Sequence, residues 1–494
     1  MLFLGIDLGT SSIKVSVVEA DTQKTLCSSQ YPETEEEIIV LKSGWAEQSP
    51  EKWWSNIKLA VLKAHSSKKY DPKQITAIGI AYQMHGLVVV DKFQTPLRNS
   101  IIWCDSRAVD IGDKAFHDLE KDRLLSHHLN SPGNFTASKL AWVKQHEPEI
   151  YDKINKIMLP GDYVAMKLTN TITSSVSSLS EGIFWDFKNN RLSKTILDYY
   201  GFDLELFPEI KPVFSVHGKI DKQISVELGL NDQVVVSYKA GDQPNNALSL
   251  NVLEPGEVAS TAGTSGVIYG VSDKLVYDKE SRINTFAHIN YTPEKTRTGV
   301  LLCINGTGIS YSWAKKVMGK ELSYPEMNKL ASNIPLGSNG LRMLPFGNGA
   351  ERMLSNKLVG AHIENIDLNQ HQTPHILKSI QEGIAFSFRY GLDIMRENGL
   401  NPQIIKAGNS NLFLSEVFQT DFVESTNVPV DIYENDGSVG AALGAGIGIG
   451  YYKEPKDAFL NIKKLKTIEP KRSSEYEEIY QNWKELLNNK IKTI

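Results

Sequence analysis

The sequence predicts an α/β protein whose two halves share a similar plan. Three observations carry this reading. Short β-rich runs alternate with stretches of helical period along most of the chain, the pattern of strands covered by helices. The chain opens on an apolar run, Leu2-Phe3-Leu4-Gly5-Ile6-Asp7, as expected of an interior strand buried on both faces. A hairpin with a glycine- and hydroxyl-rich turn occurs twice, once near the start of each half.

The first hairpin runs from Leu2 through the turn Gly9-Thr10-Ser11-Ser12 into Ile13 to Val18. Ser49 then caps a helix that has Pro50 at its first position and Trp53, Ile57 and Val61 on its buried face. A strand pair is expected at Ile75 to Ala81 and Leu87 to Asp91. Helical stretches dominate from about Asp105 to Met166. Val234-Val235-Val236 is again strand-like and leads to Lys239-Ala240-Gly241-Asp242. The second hairpin is Glu257 to Thr261, a turn at Ala262-Gly263-Thr264-Ser265-Gly266, and Val267 to Tyr269. Then come a helix at about Thr373 to Glu397, a strand at Gln403 to Ala407, a helix at about Phe413 to Thr426 and a strand at Pro429 to Glu434. A helix of small residues, about Val439 to Gly450, follows; its Gly/Ala run suits close approach to other backbone. From about Lys453 the chain is a polar tail with one amphipathic helix carrying Tyr476, Ile479, Tyr480, Trp483, Leu486 and Leu487. Its basic residues, Lys463, Lys464, Lys466, Lys471 and Arg472, are read as a solvated helix end and loop.

Composition excludes several classes. The 494 residues carry a net charge of −5 and are 41% hydrophobic, ordinary for a globular chain. No basic surface suited to nucleic acid or anionic membrane is apparent, and no apolar run is long enough to cross a bilayer. Cys27, Cys104 and Cys303 are odd in number and show no metal-ligand spacing; they are expected to be reduced thiols acting as small hydrophobes. With no signal-like N-terminus, a cytoplasmic location is expected.

Chemistry concentrates in three places. In Gly5-x-Asp7-x-Gly9-Thr10-Ser11-Ser12-x-Lys14 the turn offers backbone N–H groups and hydroxyls to an anion, for which phosphate is the natural guest. Asp7, at a strand end, can hold Mg²⁺ through water, and Lys14 can add charge; an ordinary β-turn is the competing reading. The second turn, with Gly263, Thr264 and Ser265, would supply donors from the other half. Asp242 lies between a strand and a helix start, where a carboxylate can serve as a base or simply as a helix cap. There is no Gly-x-x-x-x-Gly-Lys-Ser/Thr loop, no Gly-x-Gly-x-x-Gly fingerprint and no His-Arg-Asp loop.

These motifs resemble the actin-like ATPase superfamily and, within it, the FGGY carbohydrate kinases; the resemblance covers about Met1 to Tyr452. It implies two actin-like (ribonuclease H-like) domains flanking a cleft for ATP and sugar. The expected division is residues 1–240, residues 241–455 and a C-terminal tail of residues 456–494. By the same resemblance Gly9, Thr10, Ser11, Ser12, Lys14, Gly263, Thr264 and Ser265 hold the nucleotide phosphates. Gly408 and Asn409 stand in the family's adenosine loop, here Ala407-Gly408-Asn409-Ser410-Asn411 instead of the usual triple glycine. Tyr82-Gln83-Met84-His85-Gly86 is similar to the stretch that lies on the sugar in the xylulokinase branch. Ile102-Trp103-Cys104-Asp105-x-Arg107 is similar to a further sugar-lining segment, with Trp103 stacking and Asp105 and Arg107 holding hydroxyls or capping a helix. Ala240-Gly241-Asp242-Gln243 matches the element whose Asp is the catalytic base, with Gln243 on a sugar hydroxyl; Pro244 beside it departs from the family pattern. Asp436-Gly437 resembles the family's closing segment.

The implied activity is ATP-dependent phosphorylation of a small sugar, D-xylulose first, with Mg²⁺. Gluconate, ribulose or another sugar is the close alternative. A non-catalytic or chaperone-like ATPase of the same superfamily is the alternative of another class. The expected partners are the sugar and ATP, without nucleic acid or membrane; a homodimer is left open.

Overall fold

The computed structural model describes residues 1–494 and contains two large sheets. In the first, Leu2–Leu8 pairs antiparallel with Ile13–Glu19, and that strand with Thr25–Tyr31. On its other side Leu2–Leu8 runs parallel to Ile75–Tyr82, which runs parallel to Val235–Gly241; Phe214–Lys219 closes that edge. Leu2, Phe3, Leu4, Ile6 and Leu8 are all buried, as an apolar strand inside a sheet covered on both faces must be.

The second sheet repeats this order. Glu257–Ala262 pairs antiparallel with Gly266–Ser272, which pairs with Thr298–Ile304. On the other side Ile404–Gly408 and then Val430–Tyr433 run parallel to it. The repeat inferred from two hairpins is therefore a repeat of a five-strand arrangement.

The helices follow their sequence signals. Ser49 Oγ accepts the Lys52 N–H at 3.3 Å at the start of Pro50–Ser66, whose buried face includes Trp53, Ile57 and Val61. Thr373–Glu397 spans the second sheet's core. The small-residue helix, Gly437–Gly448, crosses from the second half to lie on the first sheet. A Cβ on Gly5 would sit 1.7 Å from the Ser438 carbonyl oxygen, and one on Gly79 would sit 1.8 Å from that of Ala441. Only hydrogen at these positions lets helix and sheet meet.

Four expectations need correction. Leu87–Asp91 does not pair with Ile75–Ala81; its central residues, Val88–Val90, pair antiparallel with Lys156–Met158, a three-residue strand too short to stand out inside a helical region. The helix expected from Phe413 begins at Glu416, capped by Ser415, after a tight turn at Asn411–Leu414. The basic segment read as loop contains an edge strand, Lys464–Ile468, paired with Val430–Tyr433; exposed lysines suit an edge that must not recruit further strands. Of the cysteines only Cys27 is buried, while Cys104 and Cys303 are exposed, so only one of the three acts as a core hydrophobe.

The final helix, Ser474–Lys492, buries Tyr476, Ile479, Tyr480, Trp483 and Leu487 in the core of the second sheet. No helix is long and apolar enough to cross a membrane.

Candidate active site

The parallel strands Leu2–Leu8, Ile75–Tyr82 and Val235–Gly241 end side by side, with Leu8 opposite Tyr82 and Tyr82 opposite Gly241. Ligands of open α/β sheets collect at such carboxyl ends. Each end delivers a segment singled out by sequence: Asp7 with the first turn, Met84-His85-Gly86, and Asp242.

Three carboxylates gather there. Burial pushes Asp7 up to about 7, reinforced by Asp242 and Asp436 and opposed by Lys14. Burial likewise raises Asp242 to about 6, against the lowering effect of bonds from Gln243. Asp242 is the first residue of the helix Asp242–Ser249, and Gly241 occupies the capping position. Asp436 is the cap of Gly437–Gly448, accepting the Ser438 N–H at 3.0 Å. Lys14 is ion-paired with Asp436, which ties the first hairpin to the last helix. No three of the acidic, cysteine or histidine side chains converge closely enough to hold a metal ion directly.

In the first turn, the Gly9 N–H donates to the Ser12 carbonyl at 3.1 Å. Ser12 Oγ accepts from Gln30, and Ser11 is exposed. Thr10 is a junction: its hydroxyl donates to Gln83 Oε1 at 3.3 Å and accepts from Trp103 Nε1 at 2.9 Å, while its carbonyl accepts from Gln48 at 2.7 Å. Gln83 Nε2 donates to Gln48 Oε1 at 2.9 Å and closes the network.

In the second turn, the carbonyls of Gly263 and Thr264 accept the Gly308 and Ile309 N–H groups at 2.9 and 3.0 Å. Thr264 is exposed and Ser265 half-buried. A Cβ on Gly263 would lie 3.5 Å from Asn411 Nδ2, so this turn adjoins the Gly408–Asn411 loop. Asn409 is exposed, its N–H donating to the Tyr433 carbonyl at 2.8 Å. Gly408 faces Asn435, which donates to Asn246 on the Asp242 helix at 2.9 Å.

On the opposite side of Asp242, Met84 is buried against Gly241, where a Cβ would be 2.6 Å from Met84 Cγ. Gly86 packs on Pro160 with equally little room. His85 has φ of 63°, and its ring lies 4.7 Å from that of Phe135 and 5.4 Å from that of Phe286. Burial, with help from Lys139, lowers its pKa to about 3, so the imidazole is neutral; its Nδ1 is buried without a protein partner. Gln243 Oε1 is likewise buried and unpartnered. Such atoms are costly unless a ligand or water completes them.

Trp103 is 51% exposed, free to present a ring face. Asp105 is placed differently. It is buried beneath this loop and accepts the Ala46 N–H at 2.6 Å and the Arg107 guanidinium. Arg107 in turn pairs with Glu47 and stacks on Trp45. These two side chains hold the segment from below, and the structure does not bring them to His85.

Sequence reasoning missed five residues of this region. Phe135 and Phe286 sit in loop and strand contexts indistinguishable from core aromatics. Arg352 has its Cζ 5.7 Å above the Phe135 ring and donates to the Ser281 carbonyl at 3.4 Å. Lys139 and Glu181 are fully buried charged residues touching His85. Lys139 shares the helix Thr136–His146 with Lys144, so nothing in the sequence singled it out.

The arrangement joins two glycine- and hydroxyl-rich turns, a cluster of acids and unpartnered polar atoms beside aromatic rings, which suits transfer of a phosphoryl group to a hydroxyl. The pattern describing the FGGY family of carbohydrate kinases, N-terminal domain, matches residues 2–249. A xylulose kinase of Staphylococcus epidermidis is 28% identical over 505 aligned positions, covering 98% of this chain and 97% of that one. A crystal structure of a xylulose kinase from Rhodospirillum rubrum superposes with a TM-score of 0.88 at 22% identity over 99% of both chains. A gluconate kinase from Lactobacillus acidophilus superposes with 0.89 at 21% identity, over 99% of this chain and 98% of that one. The fold is thus the two-domain, actin-like one, and the chain belongs to the FGGY family of carbohydrate kinases.

Proposed function

We propose that this sugar kinase transfers the γ-phosphoryl group of ATP to D-xylulose, giving ADP and D-xylulose 5-phosphate. The reading rests on one relationship: Asp242 adjoins Met84 through Gly241 on one side and Asp7 on the other. A base there reaches both a sugar hydroxyl and the incoming phosphate. The relatives named xylulose kinase and the Met84-His85-Gly86 stretch support the choice of sugar.

Asp242 accepts the proton of the attacking hydroxyl. As that oxygen bonds to the γ-phosphorus, the bond to the bridging oxygen of ADP breaks and the electron pair leaves with ADP. A carboxylate titrating near 6 suits this task around neutral pH. Donors left free in the Gly9–Ser12 turn, beyond the Gly9 N–H and Thr10 hydroxyl that are bonded within the protein, and donors of Gly263 to Ser265 hold the phosphates from the two halves. Lys14 contributes charge, and Gly408 and Asn409 border the adenosine. His85 and Gln243 each offer an unpartnered atom to sugar hydroxyls, and Trp103 offers its ring. Asp7 fits a hydrated Mg²⁺: burial, and then the neighbouring Asp242 and Asp436, raise its pKa, a cost that a bound cation would offset. Mg²⁺, when bound, neutralises phosphate charge. Closure of the two units, divided near residue 240, excludes water from the transfer.

A sugar acid such as gluconate is the second reading, because the Arg352 guanidinium beside Phe135 would compensate a carboxylate. The test is ADP release over a panel of D-xylulose, D-ribulose, D-gluconate and glycerol. The reading requires the highest kcat/KM on D-xylulose. A preference for gluconate would select the second reading, and ADP release indifferent to all four would refute both.

A further inference from the structure

Lys139 and Glu181 grip His85 from its two backbone ends. Lys139 Nζ donates to the His85 carbonyl at 2.8 Å, and Glu181 Oε1 accepts the His85 N–H at 2.9 Å. Both side chains are essentially inaccessible, at 0% and 1% exposure. Burying an ionisable side chain is costly, and burial drives both of these toward their neutral forms. Neither residue forms a direct ion pair that would explain its presence. Lys139 spends its second bond on the Ile102 carbonyl at 2.9 Å, one residue before Trp103. Glu181 also lies 3.5 Å from the Tyr82 hydroxyl.

The peptide they hold is unusual. His85 has φ of 63°, in the left-handed region that non-glycine residues visit at a cost. Its imidazole stands between Phe135 and Phe286 with Nδ1 unpartnered. An extended backbone would turn that ring elsewhere. The two bonds oppose that relaxation, and the Lys139 bridge makes the Trp103 segment move with it.

We propose that Lys139 and Glu181 are positioning residues for the acceptor sugar: together they lock His85 in its strained conformation, and Lys139 joins the His85 and Trp103 segments into one sugar-facing surface. This rests on the reading that His85 contacts the sugar.

Kinetics of His85→Ala, Lys139→Met, Glu181→Gln and Glu181→Leu test it, using whichever sugar of the panel the unsubstituted enzyme phosphorylates. Met matches the length of Lys without a donor. The Ile102 and His85 carbonyls keep weaker partners in the Asp105 N–H and the Thr136 hydroxyl, so folding should survive. Lys139→Met should raise the sugar KM about tenfold, equivalent to about 1.4 kcal/mol, with the ATP KM unchanged. Glu181→Gln keeps the acceptor and should stay near the parent enzyme, whereas Glu181→Leu should behave like Lys139→Met. If His85→Ala raises the sugar KM and Lys139→Met does not, the positioning role is wrong. Equal rises in both KM values would make Lys139 merely structural and also overturn it. If Lys139→Met fails to fold, the Glu181 pair decides, because unchanged sugar KM in Glu181→Leu refutes the lock. If His85→Ala itself leaves the sugar KM unchanged, the sugar-site reading fails first.

Discussion

The indole N–H of Trp103 donates to the hydroxyl oxygen of Thr10 at 2.9 Å, so the Trp103 loop is bonded to the tip of the first hairpin. Trp103→Phe keeps an aromatic face and deletes this donor. The ATP KM should rise about five-fold, the scale of one lost hydrogen bond of about 1 kcal/mol, while the sugar KM stays within two-fold or so. Trp103→Ala should raise the sugar KM as well. Steady-state kinetics in both substrates read the difference.

Asp242→Asn should lower kcat by about 10² to 10⁴, because Asn preserves the shape but takes no proton at neutral pH. Gly241 is the capping residue of that helix, and Asn removes the charge whose burial raises the Asp242 pKa, so the melting temperature should not fall and should rise at alkaline pH. A kcat within a few-fold of the parent would remove Asp242 from the base role.

The pH profile follows from the same residue. With its pKa raised to about 6, Asp242 is protonated and idle in acid and free to accept a proton above. Therefore kcat/KM should climb with pH through about 6 and then flatten. An acidic limb centred near 4 would mean that the carboxylate titrates as if exposed.

Asp7 carries a cost to folding. Its pKa in the folded protein is about 7, above the ordinary 3.8, so the folded state holds the proton more tightly than the unfolded one. The stability it allows is full below about pH 4 and declines as pH rises through about 7. Asp7→Asn removes that decline. Without nucleotide or metal, its melting temperature should exceed the parent's by more at pH 8 than at pH 5. Turnover should collapse, and its Mg²⁺ dependence should shift. A stabilisation independent of pH would contradict the raised pKa.

Gly79→Val tests the contact between the last helix and the first sheet. A Cβ would meet the Ala441 carbonyl oxygen at 1.8 Å, and backbone has no rotamer by which to escape. Loss of soluble, folded protein is expected. By contrast, Gly399→Ala adds a Cβ into open space and, despite its positive φ, should remain folded. Thermal melts of both check this.

Local signals made much of this readable. The apolar Leu2–Leu8 run, the Ser49-Pro50 cap and the small-residue helix each announce themselves within a few residues. The two turns and Asp242 stand out by residue type, and the structure places the first turn and Asp242 at adjoining strand ends. What escaped depends on contacts far along the chain. Val88–Val90 pairs with Lys156–Met158 across an intervening helical region. Phe286 reaches His85 from the other half. Nothing near Asp105 in sequence reveals that the distant Ala46 N–H occupies its Oδ2. Periodicity registers which face is apolar, not which distant side chain will occupy it.

The helix Gly437–Gly448 covers strands of the first sheet, two of them made more than 350 residues earlier, as Gly5 and Gly79 against Ser438 and Ala441 show. This has a consequence for biosynthesis. The ribosome makes the first sheet early but delivers its covering helix near the end. Until then, a surface lined by Phe3, Ala77, Ala81 and Tyr238 lacks its partner on the nascent chain. Domains generally fold in order of synthesis, but here the earlier half cannot finish before the later one. A nascent chain stalled before residue 437 should engage holdase chaperones, and the released full-length chain should not.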